Sequence, residues 1–312
     1  MTTQPHEPVT FGQTPLRIED VLALANRQVP TRLQDDAEYR ERIAKGARFL
    51  DSLLDKEGVI YGVTTGYGDS CVVAVPLEHV EALPRHLYTF HGCGLGKLLD
   101  AQATRAVLAA RLQSLCHGVS GVRVELLERL QAFIAHDILP LIPEEGSVGA
   151  SGDLTPLSYV AATLSGEREV LFNGERRLAA DVHRELGWTP LVLRPKEALA
   201  LMNGTAVMTG LACLAYARAD YLLKLATRIT ALNVVALQGN PEHFDERLFA
   251  AKPHPGQMQV AAWIRQDLAI DAPTAPLHRL QDRYSLRCAP HVLGVLADSL
   301  NWLRGFIEIE LN

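Results

Sequence analysis

Between Glu145 and Leu157 the chain reads Glu-Gly-Ser-Val-Gly-Ala-Ser-Gly-Asp-Leu-Thr-Pro-Leu. Within it, Ala150-Ser151-Gly152 has residue types that permit the backbone to react with itself. If the Gly152 nitrogen is pressed onto the Ala150 carbonyl carbon, a five-membered ring closes, and loss of water turns Ser151 into an exocyclic methylene. Gly152 has no Cβ to block so close an approach. Ser151 supplies the leaving hydroxyl, and Ala150 is small enough not to obstruct closure. The product is an electrophile made from the chain. The same residues also describe an ordinary flexible connection, since three glycines, two serines and one alanine fall within eight residues.

Other stretches carry polar groups in company that could serve such an electrophile. Ile60-Tyr61-Gly62-Val63-Thr64-Thr65-Gly66-Tyr67-Gly68 has the glycines and threonines of a bent loop rather than a helix. Read alone, Tyr61 there is a half-buried tyrosine in a turn. Phe90-His91 precedes a triple-glycine stretch, Gly92-Cys93-Gly94-Leu95-Gly96-Lys97. A phosphate cradle is excluded there, because no strand is expected before it and Leu98 stands where a P-loop needs Ser or Thr. His86, His91 and Cys93 fit no common metal spacing. Lys196-Glu197-Ala198-Leu199-Ala200-Leu201-Met202-Asn203-Gly204-Thr205 places an asparagine where it could cap a following helix. Gln281-Asp282-Arg283-Tyr284-Ser285-Leu286-Arg287-Cys288 reads by itself as a solvated polar segment.

Taken together and in this order, these motifs resemble the aromatic amino acid ammonia-lyases, the histidine, phenylalanine and tyrosine enzymes with their aminomutase relatives. Gly146 to Leu157 is similar to that family's signature almost letter for letter. The resemblance implies that Ala150-Ser151-Gly152 becomes 4-methylidene-imidazol-5-one, with no metal or nucleotide. It implies Tyr61 as catalytic base, Asn203 bonded near the electrophile, and Gln281 and Tyr284 lining the site. Arg287 would clamp the substrate carboxylate with its planar fork, and Gly68 closes the Tyr61 motif as a further substrate-binding candidate. Phe90 and His91 occupy the two positions that meet the substrate's side chain. In the family, Ser-His there goes with histidine, a pair beginning with His with tyrosine, and Phe-Leu with phenylalanine. This chain mixes them, and because His91 can donate or accept, a polar ring is expected, tyrosine first and histidine next. The implied reaction is removal of ammonia from an aromatic L-amino acid to give a trans arylacrylate. Its base must be a phenolate, which an unperturbed tyrosine near pKa 10 rarely provides at neutral pH. A 2,3-aminomutase using the same residues is the first alternative. Asp69-Ser70-Cys71 departs from the more apolar continuation usual in the family.

The elements that must position these residues read as helices. Hydrophobic content of 48% with aromatics at 6% favours an aliphatic helical protein. Helices are expected from Leu16, over Asp36 to Asp55, Leu83 to Phe90, from Asp100 to a stop at Gly118, from a Ser120 cap to Pro140, and over Asp153 to Leu164. Glu169 to Leu178 is a hairpin with Asn173-Gly174 at its turn, and Pro190 and Pro195 mark the best boundary. Beyond it, Leu199 to Gln238 reads as nearly continuous helix, and helix resumes near Gln257 to Leu268 and from Pro290. The expected architecture is mainly α. Residues 1–194 form an N-terminal helical domain with one small hairpin, and residues 195–312 the first part of a long-helix bundle, ammonia-lyase/fumarase-like. The resemblance implies a homotetramer in the full-length family, of which this chain would be the N-terminal three-fifths. A catalytically inactive fragment that needs the missing C-terminal half is therefore the second alternative.

Composition bounds the rest. A spread net charge of −6 gives no basic footprint for nucleic acid and no membrane patch. Cys71, Cys93, Cys116, Cys213 and Cys288 are odd in number and scattered, which suits a reduced, cytoplasmic protein. The polar first residues lack a signal core. The uncharged run from Ala198 to Ala217 contains Asn203, Gly204 and Thr205 and is expected as a buried core helix.

Overall fold

Helix dominates, as an Ala- and Leu-rich chain favours. The computed structural model describes residues 7–56, 58–149, 151–269 and 280–312. Residues up to Leu214, with Glu308–Asn312, form one compact unit, and Ala215–Ile307 form a second.

The first unit is built around the helix Ala101–Leu115, which is buried from Ala103 to Leu115 apart from Arg105 and Ser114. Alanines at 103, 106, 109 and 110 keep it slim. A Cβ added to Gly210 would meet the Ala106 carbonyl carbon at 2.8 Å, so the helix Ala206–Ala236 crosses here in backbone contact. Asp100 caps its start by accepting the Ala103 N–H at 2.7 Å. The helix Val124–Ala135 packs beside it with Leu126, Leu127, Leu130 and Phe133 inward. Leu154–Leu164 buries Leu157, Val160 and Leu164 and packs against Leu83–Phe90 and Glu197–Met202. Those last two helices carry residues of the candidate site.

Two local expectations are corrected. Ser120 does not cap the next helix: Gly118 and Gly121, both with left-handed φ, carry the chain on to Arg123, which takes the cap position. Arg123 is fixed there by Glu197, a carboxylate 1% exposed, through bonds of 2.9 and 2.8 Å. Leu199 to Gln238 is not one helix. The chain leaves helix at Asn203 and re-enters at Ala206, because Gly204 must lie flat against a second loop. The glycine-rich stretch after His91 contains a strand, Leu95–Leu98, paired antiparallel with Pro143–Glu145. The hairpin Glu169–Phe172 and Glu175–Leu178 turns at Asn173 and Gly174, both with positive φ, and gains Leu139–Pro140 as a third strand.

In the second unit the helices Pro255–Leu268 and Ala289–Leu311 cross where Gly256 meets Gly294. A Cβ on Gly256 would lie 2.1 Å from the Gly294 carbonyl oxygen, and the Gly256 N–H is held by Asp298 at 2.7 Å. Among the described residues no helix is long and apolar enough to cross a membrane.

His183, on the helix Ala179–Glu185, is fully buried beside Phe133 and Trp188, and neither ring nitrogen has a hydrogen-bond partner among the described residues. Burial, followed by the Arg129 charge, pushes its pKa down to about 4. The unfolded chain takes up this proton near pH 6.5 and the folded chain only near pH 4, so stability falls as pH drops through that window. Urea titrations from pH 7 to 4 are expected to show this loss, up to about 3 kcal/mol, and His183→Leu is expected to remove that part of the slope.

Candidate active site

The strand Pro143–Glu145 delivers the chain to the Ala-Ser-Gly loop. Gly149, Ser151 and Gly152 have φ of 73°, 59° and 78°. Such a value suits glycine and is uncommon for serine. Ala150 lies outside the described residues. Gly152 forms a parallel bridge with Gly204, and a Cβ on Gly152 would lie 2.3 Å from the Gly204 carbonyl oxygen. That same oxygen accepts the Asp153 N–H at 2.7 Å. The side chain of Asn203, extended at the end of Glu197–Met202, donates to the Ser151 carbonyl oxygen.

Asp153 stands at the start of Leu154–Leu164 but does not cap that helix. One carboxylate oxygen accepts the Val207 and Met208 N–H groups, each at 3.0 Å, and the other accepts the Ser147 hydroxyl at 3.2 Å. It therefore caps the long helix from outside the segment, where charge also complements the helix dipole.

Tyr61 sits on a loop tightened by its threonines. Thr64 Oγ1 accepts the Ile60 N–H at 2.8 Å and donates to the Gly58 carbonyl, while Thr65 Oγ1 accepts the Gly62 N–H. The Tyr61 hydroxyl accepts the Gly68 N–H at 2.9 Å. The Lys196 ammonium lies 5.7 Å from the Tyr61 ring centroid and donates to the Tyr61 carbonyl at 3.4 Å. Burial lowers the pKa of Lys196, which stands at the helix entry with φ of 80°.

Tyr61, Gly68, Phe90, His91, Ser151 and Asn203 border one cavity of about 570 Å³. Gly152 is packed behind it against Gly204. Burial lowers the His91 pKa, so its ring is neutral at neutral pH and can donate or accept. Tyr67, His86, Leu83, Leu87, Leu154 and Leu199 complete most of the wall. Sequence reasoning gives none of these a place in the site. Tyr67 and His86 lie within or beside the motifs but carry no distinguishing spacing, and the leucines read as core. Burial, then the neighbouring Tyr61, pushes the Tyr67 phenol up to about 12, so Tyr67 stays a neutral donor at physiological pH.

Gln281, Tyr284 and Arg287 belong to the second unit. There Asp282 accepts the Asn240 N–H at 2.7 Å and donates its own N–H to His243. Arg287 Nε donates to the Asp282 carbonyl at 3.1 Å, and its guanidinium stacks 4.4 Å from the Tyr284 ring centroid. Among the described residues no cluster of His, Cys, Asp or Glu is arranged to hold a metal.

A helical fold with a glycine-backed Ala-Ser-Gly loop opening onto a tyrosine-bearing cavity defines a class, and the comparisons with known proteins identify it. The aromatic amino acid lyase family model matches residues 16–312, and the chain belongs to that family. It is 41% identical to a histidine ammonia-lyase of Chloroflexus aurantiacus over 99% of this chain and 60% of that one. Against a histidine ammonia-lyase of Bacillus velezensis it is 39% identical over 90% of this chain and 55% of that one. Among solved structures, tyrosine aminomutase from Streptomyces globisporus superposes with a TM-score of 0.86 at 36% identity, over 97% of this chain and 61% of that one. Phenylalanine aminomutase of Pantoea agglomerans gives 0.90 at 30% identity, over 97% and 62%. The fold is thus that of the ammonia-lyases, and this chain spans 55–60% of the length of those two curated relatives.

Asp153→Ala removes the external cap and leaves the buried Arg111 without its neighbouring carboxylate. We expect a loss of about 3 kcal/mol in chemical unfolding, with Asp153→Asn, which keeps an acceptor, clearly milder.

Proposed function

We propose that the protein to which this chain belongs eliminates ammonia from an aromatic L-amino acid with a polar ring, tyrosine or histidine, to give a trans arylacrylate. The observation that carries the reading is the shared cavity of Tyr61, Ser151, Asn203 and His91. The residues present fit the methylidene-imidazolone: Gly152 has no room for a Cβ, Ser151 is already left-handed, and Asn203 holds the Ser151 carbonyl. When formed, that group supplies an electron sink that turns the substrate's amine into a leaving group.

The chain's own residues do the rest. Tyr61 Oη takes the β-proton as the carbon–nitrogen bond breaks and the new carbon–carbon double bond forms. The Gly68 N–H is directed at that oxygen, and the Lys196 ammonium lies beside the ring. Asn203 fixes the Ser151 carbonyl and draws electron density toward it. His91, neutral and at the cavity wall, reads a phenol or imidazole. Arg287 is the proposed carboxylate clamp, with Gln281 and Tyr284 as polar lining.

A homo-oligomer is also proposed. Its support is the apolar surface that the second unit leaves exposed, including Tyr221, Leu222, Trp302 and Phe306. The five free cysteines support a cytoplasmic location. A second reading, return of the ammonia to the β carbon, is favoured by the likeness to tyrosine aminomutase, and product analysis for β-amino acid separates the two.

Assays on tyrosine, histidine and phenylalanine, following the conjugated product by ultraviolet absorption, test the proposal. Tyr61→Phe is expected to lower turnover at least about 100-fold with melting unchanged, and Ser151→Ala to abolish it. Wild-type rates in either variant contradict the assignment. His91→Leu is expected to shift preference about tenfold or more toward phenylalanine, the scale of one lost polar contact; an unchanged preference removes His91 as the reader of the ring.

A further inference from the structure

Arg111 lies in the middle of the helix Ala101–Leu115 and is 3% exposed. Its Nη2 donates to the Ala200 carbonyl at 2.6 Å, and its Nε has no partner among the described residues. A guanidinium so placed is costly to bury. Burial pushes its pKa down to about 10, with the Asp153 carboxylate acting in the opposite direction.

Its surroundings give the cost a purpose. A Cβ on Gly204 would lie 2.2 Å from Arg111 Nη1, and a Cβ on Gly152 would lie 2.3 Å from the Gly204 carbonyl oxygen. Guanidinium, Gly204 peptide and Gly152 are therefore stacked in file with no side chain between them. Arg111 also holds the chain just before Gly204, through Ala200, while Asp153 holds it just after, through Val207 and Met208. The break between the two helices is pinned on both sides by an opposite pair of buried charges.

We propose that Arg111 is a positioning residue: it backs the Gly204 peptide so that Gly204 presses on Gly152, and this sets the compression that ring closure needs. The proposal rests on the cyclisation reading above. Closure joins Gly152 N to the Ala150 carbonyl carbon, and that oxygen leaves as water with the Gly152 and Ser151 amide protons. Loss of the Ser151 hydroxyl with its Cα proton expels a second water. A flat, rigid guanidinium suits the task, because it can lie against a peptide plane where a flexible ammonium cannot.

Intact-mass measurement on the purified chain, beside circular dichroism and melting, tests this. Wild type is expected two waters lighter than its sequence. Arg111→Met is expected to fold yet show at least a tenfold smaller dehydrated fraction, with Arg111→Lys intermediate. Gly204→Ala, whose methyl displaces Arg111 or Gly204, is expected to show a similar loss, and it decides the matter with Arg111→Lys should Arg111→Met fail to fold. Complete dehydration in folded Arg111→Met, or in both of the other variants, overturns the positioning role alone. A wild-type chain at full sequence mass removes the cyclisation reading itself, and the proposal with it.

Discussion

The Gly204 carbonyl accepts the Asp153 N–H at 2.7 Å while Gly152 runs beside Gly204 as a parallel bridge, and no side chain separates the two backbones. Most of the candidate site depends on that contact. It ends the helix Glu197–Met202 where Asn203 can turn toward Ser151, and it gives the long helix a new start at Ala206. It also holds Ser151 in a conformation that serine seldom adopts without support. Strain of this kind persists because rigid elements surround it: three helices and a strand pair converge on the loop.

The cavity divides labour between scaffold and loops. Helices contribute Phe90 and Leu154 from fixed positions, while the Tyr61 loop is stiffened by hydrogen bonds from Thr64 and Thr65. The Tyr61 hydroxyl oxygen is held in turn by the Gly68 N–H. Charge is distributed to match. Lys196 stands by the phenol, and the paired burial of Arg111 and Asp153 sits behind the loop rather than in the cavity. The cavity wall is thus largely aromatic and aliphatic, with His91 among its polar groups.

Much of this was legible in the sequence, and the remainder for physical reasons was not. Helix extents followed periodicity and caps, as at Asp100, whose side chain accepts the Ala103 N–H. The stretch from Gly146 to Leu157, with the motifs that accompany it in order, pointed to the family that the comparisons show. What escaped were features set by distant partners. The break at Asn203 lies inside an apolar run that favours helix locally, and the groups that contact it, Gly152, Asp153 and Arg111, are distant in sequence. Ser120 looked like a cap, yet Arg123 took that place because Glu197 holds it from 74 residues away. Asp153 stands at the start of one helix and caps another, the long helix that begins at Ala206. Tyr67 and Leu199 gave no signal, since a cavity wall is made of ordinary core residues.

The proposed chemistry requires that this chain compress Ala150-Ser151-Gly152 into a ring. An electron-density map of the crystallised protein over residues 149–153 tests it most directly. The account predicts a closed five-membered ring, with Gly152 N bonded to the Ala150 carbonyl carbon and no hydroxyl on the former serine. A continuous open peptide with an intact Ser151 side chain would contradict it.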